Sequence, residues 1–194
     1  MRVLIILANP NRDSFNHAIV EVAKGELLSL GHKVFFRDLY QEKFDPVLPS
    51  HENLLPESEL PLFLQEYIGL VRSVDGLFFV HPNWWGGAPA ILRGWIDRVL
   101  RQDSIYNFTP NGVTSKISNK IVQIISTSNT PKEIELNVYG DPVEFFWKTI
   151  VFGLLGVKLF ERRNFESVIM STQEQREEWL NETKEIVKRR FPSS

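Results

Sequence analysis

Two kinds of apolar pattern alternate along the chain. Val3 to Ala8 is apolar without polar interruption, which predicts a buried strand over Arg2 to Ala8. Phe15, Ile19, Val22, Ala23, Leu27 and Leu30 then recur at helical spacing. Ser14 or Asp13 supplies an N-cap and Gly31 a stop, so the first helix runs from Ser14 or Phe15 to Leu30. Lys33 to Arg37, with Val34, Phe35 and Phe36, reads as a second strand. A strand, helix, strand unit implies a parallel pair joined by a right-handed crossover.

Residues 38 to 60, punctuated by Pro46, Pro49 and Pro56, have no period and predict an irregular surface excursion. Phe63, Leu64, Tyr67, Ile68 and Val71 mark a helix from Leu60 to Ser73, and Asp75-Gly76 turns the chain into a third strand, Leu77 to Val80. A loop at 81 to 88 leads to a helix from Pro89 to Arg101 with an apolar stripe of Leu92, Trp95, Ile96 and Val99. Arg93, Asp97 and Arg101 form a ladder on another face that reads as mostly solvated, with Asp97 able to pair with either arginine. Residues 102 to 119 read as a second long loop, Lys120 to Ser126 as the fourth strand, and Asp141-Pro142 as the start of a helix reaching Leu155. A fifth strand lies within Lys158 to Ile169. A capping box of Ser171 or Thr172 with Glu174 or Gln175 opens the last helix, which runs to about Arg190. The pattern predicts one α/β domain: an open parallel sheet with helices on both faces. Ligands of such sheets sit beyond the carboxyl ends of the strands, which selects loops 9 to 14, 81 to 88 and 127 to 131.

Composition narrows the chemistry. The absence of cysteine excludes thiol catalysis and Cys-based metal sites, and fits a reducing cytoplasm. A net charge of −2 gives no basic footprint for nucleic acid. The apolar start is too short to span a membrane and ends in Asn9-Pro10-Asn11, and no later apolar run is long enough, so no stable membrane insertion is expected. None of His17, His32, His51 and His81 is paired at metal-ligand spacing; the first three read as solvated or packed, and His81 as either ligand-facing or structural. Without a GxSxG elbow or an evident His/Asp arrangement around a serine, hydrolysis is disfavoured.

The three loops carry more specific signals. NPNRDSFN places a helix N-terminus, with Ser14 and Asn16 as side-chain donors, where an anion such as phosphate would bind, although an ordinary capped loop would look the same. It is neither a GxxxxGK[ST] loop nor a GxGxxG fingerprint. In the second loop Pro82 fixes φ, Gly86 and Gly87 let backbone amides approach a ligand, and Trp84 and Trp85 offer planar faces that could equally be core. Thr127 and Ser128 add hydroxyls. Together these suit a flat, phosphorylated, hydrogen-bonding heterocycle, and a flavin fits.

The segments SFN at 14 to 16, DLY at 38 to 40, HPNWWGGAPAILRGWIDRV at 81 to 99 and TSNTP at 127 to 131 resemble the flavodoxin-like NAD(P)H:quinone oxidoreductase family, in order and spacing over most of the chain. The resemblance implies a flavodoxin-like sheet of order 2-1-3-4-5, a homodimer, FAD or alternatively FMN, and NADPH or NADH as hydride donor to a quinone-like acceptor by a ping-pong route. It puts Ser14, Phe15 and Asn16 at the flavin phosphates or ribityl chain, and Asn9 beside the phosphate where relatives often have a histidine. Pro82, Asn83, Trp84 and Trp85, followed by Gly86, would line the isoalloxazine, with main-chain amides on its polar edge. Thr127 and Ser128, followed by Asn129, would lie at its pyrimidine end. Relatives with a TTGG loop carry a Tyr and a His near the hydride site; this chain has TSNTP, no histidine after His81, and Tyr139 as the nearest candidate for a catalytic role. Gly94-Trp95 reads as a surface shared between core and dimer partner. The alternative is a flavin-binding regulatory subunit of a membrane transporter. A one-electron carrier is disfavoured because its acidic excess and Thr/Ser-rich phosphate loop are missing.

Overall fold

The computed structural model describes residues 1–193. Its elements follow in chain order: β1 (Arg2–Leu7), α1 (Phe15–Ser29), β2 (Lys33–Asp38), α2 (Leu62–Ser73), β3 (Gly76–Pro82), α3 (Ala90–Val99), β4 (Tyr106–Thr109), β5 (Gly112–Ser115), β6 (Ile121–Thr127), α4 (Lys132–Asn137), α5 (Pro142–Glu144), a π-helical segment (Phe145–Val151), α6 (Phe152–Leu154), β7 (Leu159–Phe165) and α7 (Gln173–Arg190). Five strands pair in the order β2-β1-β3-β6-β7, every neighbour parallel. Counted within the sheet alone, that is the expected 2-1-3-4-5.

The unbroken apolar runs follow from the double-sided burial. In β1, Leu4 and Ile6 face one core with α2 and α3, whereas Val3, Ile5 and Leu7 face the other with α1 and α7. All seven residues of β3 are buried. The caps form as the sequence indicates: Ser14 Oγ accepts the amide of His17, Thr172 Oγ1 accepts that of Gln175, and Gly31 turns the chain after α1 at φ 80°.

Three expectations need correction. Residues 102 to 119 are not simply a loop: β4 and β5 form an antiparallel hairpin around Pro110-Asn111, with Gly112 at φ 117°. Its strands are only four residues each and half-exposed, too short for their alternation to stand out within a turn-rich segment. The helix expected from Asp141 to Leu155 is broken into α5, the π segment and α6, and α4 precedes it within what read as loop. The Arg93, Asp97, Arg101 ladder is mostly solvated as expected, Arg93 and Asp97 being exposed, but Asp97 forms no ion pair among the described residues. Arg93 lies over Phe146, its Cζ 4.2 Å from the ring centre, and Arg101 donates to the carbonyls of Glu52 and Leu55.

The excursion between β2 and α2 packs on α3. Arg98 and Glu52, both buried, pair at 2.5 Å, and Arg98 Nη1 donates to the Asp45 carbonyl at 2.6 Å. Gly94 lies under Pro46, where a Cβ would stand 2.1 Å from the Pro46 carbonyl oxygen. Trp95 is fully buried. The Gly94-Trp95 pair is thus covered within the subunit rather than presented to a partner.

Candidate functional site

The ends of β1, β3 and β6 are adjacent in the sheet, so the three selected loops meet. Asn16, on the first turn of α1 and 2% exposed, ties two of them: its Oδ1 accepts from Asn9 Nδ2 at 2.7 Å and from Thr127 Oγ1 at 3.3 Å. Its Nδ2 is buried with no partner in the protein. Phe15 turns its ring away, toward Phe165 and Trp179, so it offers a ligand backbone rather than side chain. Thr127 donates its hydroxyl hydrogen to Asn16.

The β3 loop is a two-residue turn. Trp84 and Gly87 exchange backbone hydrogen bonds of 2.9 and 3.1 Å, with Trp85 and Gly86 at its tip at φ 54° and 71°. A tryptophan in the left-handed region is strained by roughly 1 kcal/mol, yet Trp85 is fully exposed and Trp84 is 44% exposed. Neither is a core residue. The amides of Asn83 and Trp84 bond to Thr127 and Gly87, so the edge amides expected for a ligand reduce to those at the tip.

Beneath the loops lies a network that sequence reasoning missed. Glu135, on α4 and 3% exposed, accepts from Asn83 Nδ2 at 3.1 Å, Asn164 Nδ2 at 3.0 Å, Arg162 Nη2 at 3.1 Å and Ser128 Oγ at 3.4 Å. Ser128 Oγ is thus held toward Glu135, and Asn129 Oδ1 accepts the amide of Ile169. Burial raises the Glu135 carboxyl above the ordinary glutamate range, with Arg162 opposing it. Arg162 also grips Asp141 and bonds to Ser126 Oγ. A charged Glu-Arg-Arg-Asn run inside a strand was the available signal, since such a residue is buried only with partners. Asn83 Oδ1 is buried and unpartnered.

His81 is structural. It is fully buried, Trp147 Nε1 donates to its Nε2 at 3.0 Å, and its Nδ1 therefore donates to the Pro82 carbonyl at 2.9 Å. Burial pushes its pKa down to about 4, so the ring is neutral. His17 is packed, as expected, but it overturns another expectation by placing a His/Asp pair beside a serine. Its Nε2 lies 3.2 Å from Asp38 Oδ2 and its Nδ1 3.0 Å from Ser14 Oγ.

Tyr139 is 60% exposed and lines a cavity of about 510 Å³ with Asn83, Trp85, Gly86, Glu135 and Pro142. The site thus has an aromatic tip, a phenol across a cavity, and two orphaned amide atoms, one donor (Asn16 Nδ2) and one acceptor (Asn83 Oδ1). A flat heterocycle with donor and acceptor edges fits these residues.

A family described as having a flavodoxin-like fold matches residues 1–188. An uncharacterized NAD(P)H oxidoreductase of Haemophilus influenzae is 39% identical over 144 residues, covering 71% of this chain and 70% of that one. NAD(P)H dehydrogenase [quinone] 1 of Cavia porcellus is 32% identical over 166 residues, covering 75% of this chain but 60% of the longer relative. The crystal structure of Smu.1420 from Streptococcus mutans UA159 superposes with a TM-score of 0.84 at 31% identity, covering 97% of this chain and 100% of that one. With the sheet order, the site loops and these relatives agreeing, the chain belongs to the flavodoxin-like NAD(P)H:quinone oxidoreductase family.

Proposed function

We propose that the protein is a flavin-dependent NAD(P)H oxidoreductase that reduces quinone-like acceptors by a ping-pong route. The observation that carries this reading is Asn16, a buried amide that joins the β1 and β6 ends and keeps one donor without a partner. A bound flavin would take a hydride from the nicotinamide and give it up to the acceptor, chemistry that asks the protein mainly for positioning.

The chain's residues supply that positioning. Asn9, Asn16 and the first-turn amides of α1 form the floor toward the phosphate end, and Trp84 with the tip amides of Trp85 and Gly86 forms the wall of the ring pocket. Glu135 holds Asn83 and Ser128 in place through its four side-chain donors. Tyr139, across the cavity, donates its phenolic proton to the acceptor oxygen as the second carbon–oxygen bond loses its double-bond character, and recovers a proton from solvent, to which it is open.

Either FAD or FMN satisfies these residues, as do both NADH and NADPH. A homodimer belongs to the same proposal; a groove of about 590 Å³ that places Ile96, Phe146, Ile150 and Leu154 beside Arg93 and Asp97 is the surface that supports it. No helix among the described residues is long and apolar enough to cross a membrane. The cytoplasmic location belongs to the same proposal and rests on the absence of cysteine, which suits a reducing compartment. The test is retention: Asn16→Ala should weaken FMN or FAD binding about tenfold or more, read by fluorescence quenching. Unchanged affinity for both would remove Asn16 from the site.

A further inference from the structure

Ser14, His17 and Asp38 form one hydrogen-bonded chain at the N-terminus of α1. Asp38 is 4% exposed, and its Oδ1 accepts the amides of Tyr40 and Gln41 at 3.0 and 3.1 Å. Its Oδ2 faces His17 Nε2 at 3.2 Å. A carboxylate oxygen in that position requires a proton on Nε2, so the neutral ring has a bare Nδ1. Ser14 Oγ lies 3.0 Å from Nδ1 and also accepts the His17 amide at 3.4 Å. In the neutral state, then, the Ser14 hydroxyl must donate to His17 and has no proton left for an anion. A second proton on the ring reverses the bond: Nδ1–H donates to Ser14 Oγ, and the hydroxyl hydrogen is released toward the loop.

The loop itself points to an anion. Asn16, two residues beyond the cap, is tied through Oδ1 to Asn9 of the loop, and its buried Nδ2 has no acceptor. The α1 dipole favours negative charge in the same place. Asp38 is the charged group in contact with His17. Arg12 and Asp13 lie in the loop, Glu21 is one turn along α1 within 3.9 Å of Lys24, and Arg37 on β2 is engaged by Glu42 at 3.5 Å and lies over the Tyr67 ring.

We propose that a phosphate group binds at the loop of residues 9 to 16 together with one proton held on His17 Nδ1, which converts Ser14 from an acceptor into a donor. The only bond made is N–H. Its proton comes from solvent, or from the ligand when the phosphate arrives monoprotonated. The identity of the phosphate ester as a flavin rests on the proposed function above; the proton coupling rests on Ser14, His17 and Asp38 alone.

The full-length chain, freed of bound ligand, is titrated by NMR of the imidazole signals with and without inorganic phosphate. Saturating phosphate should raise the His17 ionisation midpoint by about one pH unit. Calorimetry at about pH 7, in buffers of different ionisation enthalpy, should show FMN taking up as much as about half a proton, the most that a one-unit shift allows, and riboflavin none. His17→Asn keeps an amide at the Nδ1 position that can give or accept, so it should bind FMN without proton uptake and at least as tightly as the parent at that pH. An unmoved midpoint, equal uptake by His17→Asn, or weaker FMN binding by that variant at every pH overturns the proposal. If phosphate moves the midpoint while FMN, FAD and riboflavin all fail to bind, the flavin reading falls and the proton coupling stands. Flavin binding without proton uptake overturns the coupling and leaves the flavin reading in place.

Discussion

Arg162 Nη1 lies 2.8 Å from Asp141 Oδ1 and 2.9 Å from Oδ2, and the residue it grips sits at φ 46°. The same guanidinium holds Glu135, and the Asp141 amide donates to the Glu135 carbonyl. One side chain thereby fastens both ends of the segment that carries Tyr139. Arg162→Lys keeps a charge but loses the fork. Hydrogen exchange in residues 136 to 141 should accelerate about tenfold or more while β6 amides keep their protection. Uniform change across both segments would show that the arginine supports the whole fold and not this loop.

Glu135 gives that network a pH dependence of definite sign. A carboxyl whose folded pKa is raised binds its proton more tightly in the native state, so its contribution to stability increases as pH falls through the raised value. The stability difference between the parent and Glu135→Gln should shift in the parent's favour on going from neutral pH toward the unfolded value of about 4.3. Parallel denaturation midpoints over that range would contradict it.

His81 has the opposite sign. Its folded pKa of about 4 lies below the unfolded value, so the stability it contributes is lost as pH falls from about 6.5 to about 4. The loss amounts to about 3 kcal/mol. Urea unfolding of the parent against His81→Gln should show the parent losing that margin across the window. An unchanged difference would mean the imidazole is already charged in the fold.

Gly94 and Trp85 test opposite relations between packing and site. Gly94→Ala drives a Cβ into the Pro46 backbone and should cost about 1–3 kcal/mol, with the excursion between β2 and α2 becoming sensitive to protease. Trp85→Gly relieves a left-handed tryptophan whose side chain touches little, so it should raise thermal stability by up to about 1 kcal/mol while weakening flavin binding. A Trp85→Gly protein that is less stable and binds flavin unchanged would make the residue structural.

The central strands β1, β3 and β6 were legible because they are buried on both faces, and double burial writes unbroken apolar runs such as Val3 to Ala8. The loops at the strand ends were legible from their prolines, glycines and tryptophans. What stayed hidden is long-range polar pairing. Glu135 and Arg162 are 27 residues apart and His17 and Asp38 are 21 apart, and nothing periodic links such pairs. Thr127 and Ser128 had the right residue types, but whether a hydroxyl serves a ligand or a neighbour depends on Asn16 and Glu135, which only the fold brings to them.

The central claim is that this site holds a flavin that accepts electrons from a nicotinamide. It is tested most directly by the visible absorption of the purified protein, before and after addition of FMN and FAD, followed by anaerobic mixing with NADH and NADPH. The expected result is a yellow protein, or a colourless one that takes up either flavin, whose colour bleaches with at least one nicotinamide and returns when benzoquinone is added. A protein that takes up neither flavin, or whose flavin stays coloured with both nicotinamides, contradicts it.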